Sequence, residues 1–163
     1  MIYQESNLQS KTREYLNTIW DQKRLRNSLG ITLTMKQRIH WFGLDPIRCE
    51  KNFYHFMKRL EKKTFGKSGE RFKKRIRRFP TLEYTNHRYH YHLLMEIPKF
   101  DNGKMVNKEK FIKLIRDSWK KTPFGYDQIH IIDFSHSDGK GWGSYITKFQ
   151  SSEDNRVDWG NVR

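Results

Sequence analysis

Tyr84-Thr85-Asn86-His87-Arg88-Tyr89-His90-Tyr91-His92-Leu93-Leu94-Met95-Glu96-Ile97 is the stretch on which the fold turns. From Tyr89 onward it reads as a β-strand. Side chains alternate across a strand, so His90 and His92 emerge on one face and Tyr89 and Tyr91 on the other. The alternation favours the two tyrosines as core residues. Asn86-His87, taken as a two-residue hairpin turn, pairs Thr85 with Arg88, Tyr84 with Tyr89 and Glu83 with His90. Directly paired residues point to the same side of a sheet. In that register Glu83 joins His90 and His92 on one patch.

Working outward, residues 8 to 27 are rich in helix formers, with Leu8, Tyr15, Leu16, Ile19 and Trp20 in helical spacing. Residues 29 to 35 alternate and read as a strand. Asp45-Pro46 supplies a helix cap followed by proline in the first turn. From there to about Thr64, Phe53, Phe56, Met57 and Leu60 mark an apolar helix face, and a linker with Gly66 and Gly69 follows. Strands are expected at 81–84 and 128–134. Asn107 can cap another helix, with Phe111, Leu114, Ile115 and Trp119 inward. A short helix is expected near 143–150. The core order is βαββαβ, a split, ferredoxin-like α+β arrangement around a central antiparallel sheet. An N-terminal helical extension over 1–28 precedes a domain over 29–150. A polar tail over 151–163 is expected to be disordered. The helices pack on one sheet face, which leaves the other free to bind a ligand.

Composition narrows the partners. The formal net charge is +15, with a sequence pI of about 10.0, the footprint of a polyanion binder. Nucleic acid is the first candidate and an anionic membrane surface the second. No apolar run approaches the roughly 20 residues that span a bilayer, and residues 1–6 do not resemble a secretory leader. The single cysteine, Cys49, cannot form an intrachain disulfide, which fits a reducing, cytoplasmic setting. Packing as a small hydrophobe is its expected role.

Two imidazoles and a carboxylate suit Mg2+ or Mn2+ while leaving positions for water and phosphate oxygens. Alone, a His-x-His pair is weak evidence. A structural zinc cluster through His87 is disfavoured because no cysteine is near. His55 reads as a packed helix residue, His40 and His130 are not selected by spacing, and Asp133 or His136 is a fallback third ligand. Downstream, Tyr145 and Lys148 lie three residues apart in a helix-compatible segment and so share a face. A neighbouring ammonium favours the phenolate and can neutralise charge developing on a phosphate. Most helical tyrosines are packing residues; the lysine and the preceding Gly139, Gly141 and Gly143 set Tyr145 apart.

In this order the motifs resemble the HUH endonuclease superfamily, specifically single-tyrosine rolling-circle replication initiator (Rep) proteins. Ile31-Thr32-Leu33-Thr34 is similar to the first Rep motif, His90-Tyr91-His92 to the metal-binding motif, and Tyr145-Ile146-Thr147-Lys148 to the catalytic motif. The resemblance covers about residues 30 to 150. It implies a site-specific nick of single-stranded origin DNA, with Tyr145 linked to the 5′ end and a free 3′-hydroxyl. It implies that His90, His92 and Glu83 hold the metal and that Lys148 assists. Phe149 stands where a second tyrosine would be. Small transposases of the superfamily share the motif order but usually carry glutamine after the tyrosine; Gln150 lies one position beyond. No helicase domain fits in this chain, so a host helicase working with the replication machinery, or a further C-terminal portion, would have to unwind the DNA. The setting implied is the cytoplasm of a cell carrying a plasmid, phage or viral element.

For DNA contact the sequence offers Lys58, Arg59, Lys62, Lys63 and Lys67, and then the run Arg71, Lys73, Lys74, Arg75, Arg77 and Arg78. Such residues supply phosphate affinity, not sequence reading. Thr32, Thr34 and Trp142 are the further DNA-contact candidates, with Trp41 and Trp142 able to stack on unpaired bases. The competing readings are a transposase of the same superfamily and a noncatalytic single-strand-binding module.

Overall fold

The computed structural model describes residues 7–100, 102–136, 141–142 and 156–163. In chain order the elements are α1 (Asn7–Ile19), α2 (Gln22–Arg26), β1 (Ser28–Met35), β2 (Arg38–Ile39), β3 (Phe42–Gly43), α3 (Pro46–Arg71), β4 (Arg78–Thr85), β5 (Arg88–Glu96), α4 (Lys108–Lys120), β6 (Gly125–Asp133) and β7 (Arg156–Val157). β1-α3-β4-β5-α4-β6 is the expected βαββαβ unit. Its strands form an antiparallel sheet in the order β6-β1-β5-β4-β7.

Local chemistry sets the element boundaries. Asn86 and His87 adopt φ of 52° and 60°, the paired left-handed geometry of a two-residue hairpin loop that matches strand twist. The register that follows is Thr85 with Arg88, Tyr84 with Tyr89 and Glu83 with His90. The carboxylate of Asp45 accepts from the Arg48 N–H and starts α3; the Asn107 side chain accepts from Lys110 N–H and starts α4. α3 does not yield to a linker near Thr64. It continues to Arg71 across a kink at Gly66, whose φ of 58° combined with ψ of −145° only a residue without Cβ adopts easily. The N-terminal helix is likewise two pieces, because Asp21 caps α2 by accepting from Arg24 N–H.

Parity decides where the core lies. Leu29, Ile31 and Leu33 of β1, Tyr91, Leu93 and Met95 of β5, and Leu82 of β4 face α3 and α4. They meet Phe53, Phe56, Met57, Phe111, Ile115 and Trp119, all buried. Tyr91 stacks on Phe53 at 4.5 Å between ring centroids, and Phe56 meets the edge of Trp119 at 5.4 Å. Truncating a ring such as Phe56 to alanine would cost about 3–5 kcal/mol.

The second sheet face is not free along its whole length. Leu16 of α1 and Trp20, just beyond it, cover Phe79, Leu94, Phe134 and Val157, a smaller apolar core at one end of that face. Gly30 permits this: a Cβ there would lie 2.7 Å from the Phe134 ring and 2.8 Å from Trp142. Nor do residues 156–163 form a disordered tail. β7 adds to the outer edge of β4, Val157 is buried, and Tyr91 Oη donates to the Asp158 carboxylate at 2.9 Å. Residues 151–155 lie outside the described residues. The polar composition of the segment conceals one apolar residue at the right parity and one buried acceptor.

The basic run after α3 divides by burial. Arg78 is 3% exposed and donates to Glu61 at 2.7 Å and to the Ile76 carbonyl at 2.9 Å. Burial lowers its pKa, and Glu61 opposes that shift. Arg78 is therefore a structural cation and not a DNA contact. Removing one partner of a buried pair strands the other charge. Glu61→Ala should lose about 3–5 kcal/mol of unfolding free energy, read as a lower urea midpoint. The apolar double substitution Glu61→Leu/Arg78→Met should recover much of that loss.

Candidate functional site

At the uncovered end of the second face, two rows of side chains cross the three central strands. Thr34, His90 and Glu83 form one row, and Thr32, His92 and Thr81 the next. The strand parity read from the sequence thus brings both histidines and Glu83 together. The pairing of β6 with β1 also places His130 opposite Thr32 on this face. Spacing along the chain does not single out His130; the parity of 128–134, once paired with β1, is the signal that does.

His92 is buried and held on three sides. Its Nε2 lies 2.6 Å from Glu83 Oε2, and its Nδ1 lies 3.0 Å from Thr32 Oγ1. The Thr81 hydroxyl donates to its backbone carbonyl at 3.0 Å. The hydrogen bond from His92 holds the Glu83 carboxyl below its ordinary value, against the opposing effect of burial. Glu83 is then a carboxylate, so Nε2–H donates to it, and in the neutral ring Nδ1 accepts from the threonine hydroxyl. His90 is half-buried. Burial first, and the neighbouring His92 second, lower its pKa, which favours the neutral imidazole a metal requires.

The donor set is chemically right for a divalent ion, but its arrangement is that of a hydrogen-bonded cluster. Among the described residues, no three or more His, Cys, Asp or Glu side chains converge with metal-ligand geometry. The His90 and His92 ring centroids are 6.5 Å apart. Two imidazoles bonded to one ion at roughly 2 Å would bring their centroids to about 5 Å. Sharing an ion therefore requires a rotamer change of His90 and release of the His92–Glu83 hydrogen bond.

The fallback ligand Asp133 is excluded. It pairs with Leu29, five residues along β1 from Thr34, roughly 17 Å away and on the core-facing side. Its carboxylate is bonded to Lys108 Nζ and the Ser135 N–H, which hold its pKa down despite partial desolvation. Asp133 is an anchor for α4. His136 is exposed beyond the end of β6.

Tyr145 and Lys148 lie outside the described residues. Trp142 does not offer an open stacking face. It is half-buried against Phe134, and its ring lies 6.4 Å from that of His92. Thr32 serves His92, and the Thr34 hydroxyl donates to the Gln128 carbonyl where β1 carries a register irregularity. Of the basic run, Arg71 and Lys73 are exposed, Arg75 pairs with Glu61 at 3.7 Å and Arg77 with Glu96 at 3.3 Å. Lys74 lies over the rings of Phe65 and Phe72. The run meets β4 at Arg78, three residues before the partner of His92 and five before the partner of His90, so its end sits roughly 10 Å and 17 Å along the strand from the two histidines. A second cationic surface, a groove of about 740 Å³, is lined by His55, Lys58, Arg59, Lys62, Lys63 and Lys121 on the helical side.

Compared with known proteins, the chain matches no family model, no curated protein and no solved structure at a significant level. Among the described residues, no helix is long and apolar enough to cross a membrane.

The His92–Glu83 hydrogen bond makes a pH-dependent contribution to stability. The folded Glu83 carboxyl titrates below its ordinary 4.5, so the contribution is complete above that pH. It fades as pH falls through the depressed folded value. Relative to wild type, Glu83→Gln should cost on the order of 1–2 kcal/mol above pH 4.5, reduced by partial exposure. In urea titrations the two midpoints should converge in more acidic solution.

Proposed function

We propose that the chain is a metal-dependent, tyrosine-nucleophile DNA endonuclease and strand transferase that nicks single-stranded origin DNA, in the manner of single-tyrosine replication initiators. The observation that carries this reading is the placement of His90, His92 and Glu83 on one face of adjacent central strands. These donors would hold Mg2+ or Mn2+, which when bound polarises the scissile phosphate. The protein's own contribution is positional. The sheet fixes the three donors, Thr32 orients His92, and burial keeps His90 available as a neutral base.

Tyr145, the candidate nucleophile, comes from the sequence motif. Its phenolate oxygen would bond to phosphorus, and the bond from phosphorus to the 3′-oxygen would break. The departing oxygen takes a proton and becomes a free 3′-hydroxyl. A phenol normally titrates near pH 10, so Lys148, three residues on in the sequence motif, would favour the phenolate and offset charge on the phosphate. The new phosphotyrosine ester keeps the bond energy for resealing. A host helicase and replication proteins are the partners this role calls for. The high positive charge supports attraction to DNA, with the exposed members of the basic run, Arg71 and Lys73, as phosphate contacts.

One observation favours a second reading, a noncatalytic single-strand-binding module. Both ring nitrogens of His92 already have protein partners. A denaturing gel after incubation with single-stranded oligonucleotides and Mn2+ separates the two. A covalent protein–DNA band should form in wild type and disappear in His90→Ala or on chelation. Tyr145→Phe should abolish the band while changing DNA affinity less than about twofold, since the substitution removes one hydroxyl and no charge. A band persisting in Tyr145→Phe removes that residue as nucleophile. Absence of any band in wild type, with salt-sensitive and metal-independent binding retained, leaves the binding module.

A further inference from the structure

Between β1 and α3 the chain makes an excursion that the βαββαβ core does not need. β2 and β3 form a two-residue-per-strand hairpin, Arg38 opposite Gly43 and Ile39 opposite Phe42. Its tip is His40-Trp41. Trp41 is 88% exposed, and beside it Phe42 is 60% exposed. His40 holds φ of 49°, a left-handed conformation that a two-residue loop ordinarily assigns to glycine or asparagine. The sequence thus places a large indole in solvent at the tip of a turn whose backbone is not relaxed.

The hairpin base is fastened to the candidate site. Gln37 Oε1 accepts from Tyr89 N–H at 2.8 Å, and its Nε2 donates to the carbonyls of Met35 at 2.7 Å and Tyr89 at 3.2 Å. The Gln37 carbonyl is likewise committed at the neck, where it accepts from Leu44 N–H at 2.9 Å. Tyr89 adjoins His90, and Thr34, which pairs with His90, lies seven residues before Trp41. The chain can therefore separate tip from site by no more than about 25 Å.

Charge identifies the occupant. Residues 36–44, KQRIHWFGL, contain Lys36, Arg38 and His40 and no acid. Arg48, which also pairs with the Asp45 carboxylate just beyond the hairpin, lies over the Phe42 ring at 5.7 Å and donates to the Gly43 carbonyl at 3.3 Å, so Lys36 and Arg38 are the cations left for phosphate. Aromatic faces interleaved with cations bind single-stranded nucleic acid by stacking on bases while pairing with phosphates. A protein partner fits less well. The exposed rings amount to on the order of 300 Å², about half of what each partner contributes to the smallest stable protein interface.

We infer that the β2–β3 hairpin is a base-stacking finger, with Trp41 packing on an unpaired nucleobase of the strand that crosses the His90/His92 face. This rests on the reading of the chain as a single-strand binder but not on any cleavage step. The test is fluorescence anisotropy of the full chain with a short labelled oligothymidine in EDTA, beside an abasic deoxyribose-phosphate strand of equal length. Trp41→Ala should weaken oligothymidine binding about 5- to 150-fold, the range for loss of one stacked base. Trp41→Phe should restore most of the affinity. Binding of the abasic strand and the salt dependence should be unchanged, because no charge is removed.

Unchanged oligothymidine affinity in Trp41→Ala overturns the inference, as does an equal loss on both strands. A change in sedimentation without a change in affinity assigns the tip to self-association and overturns it too. If wild type binds neither strand, the single-strand reading falls with it. If wild type binds but never forms a covalent adduct, only the enzymatic proposal falls.

Discussion

The turn Asn86-His87 sets the register on which this molecule depends. A sheet has a side-chain period of two, so a slip of one residue exchanges its faces. Such a slip in β5 would drive His90 and His92 against Phe53 and Phe56 and expel Tyr91 from its stack and its hydrogen bond to Asp158. Buried imidazoles without partners and exposed rings would both oppose it. β5 lies between β1 and β4, so the register fixed by two left-handed residues passes to both neighbours. Through β1 it reaches β6 and aligns His130 with Thr32.

The two faces of the sheet divide the labour. One is apolar except at its margins, where Arg78 is buried on Glu61 and Asp133 pairs with Lys108, and is closed by α3 and α4. The other is apolar only where α1 and Trp20 cover it, and beyond that cover it carries histidine, glutamate and threonine. The side chains there are oriented by one another: Thr32 and Glu83 bracket His92, and Thr81 holds its backbone. A site built on rigid central strands keeps its geometry better than one built on loops. The larger groups of cations are elsewhere, on the outer face of α3 and at the opposite end of β4, while Arg88 lies near His90 on the same face. A net charge of +15 acts over many ångströms, so attraction of a polyanion does not require cations beside the histidines. The β2–β3 hairpin is a basic, aromatic element tied directly to the histidine end of the sheet.

Much of this was legible in the chain because it is local. Caps at Asp45 and Asn107, alternation in 29–35 and 89–97, and the Asn86-His87 turn each depend on a few neighbouring residues. They gave the βαββαβ order and the shared face of Glu83, His90 and His92. The failures were non-local. A charge run looks uniform in sequence, yet Arg78 is buried on Glu61 while Lys73 is exposed, because only Arg78 begins a strand that enters the core. A polar C-terminal segment reads as disordered, yet Val157 finds an unpaired strand edge and Asp158 finds a buried phenol. Trp142 reads as a stacking platform, yet Gly30 leaves a shallow place for it on the sheet.

The sequence by itself determined which residues share a face, since strand parity and turn geometry are properties of adjacent peptide units. Tertiary structure alone decided which of those faces stayed open and what they met. The N-terminal helices, distant in sequence, cover half of the second face, and the pairing of β1 with β6 brings in His130. The exposure of Trp41, which the sequence offered as a stacking residue, is likewise a tertiary outcome, with the neck tied by Gln37 and the indole left in solvent. The physical reason is range. Periodicity is fixed by bonded neighbours, whereas burial depends on which distant surface arrives to exclude water.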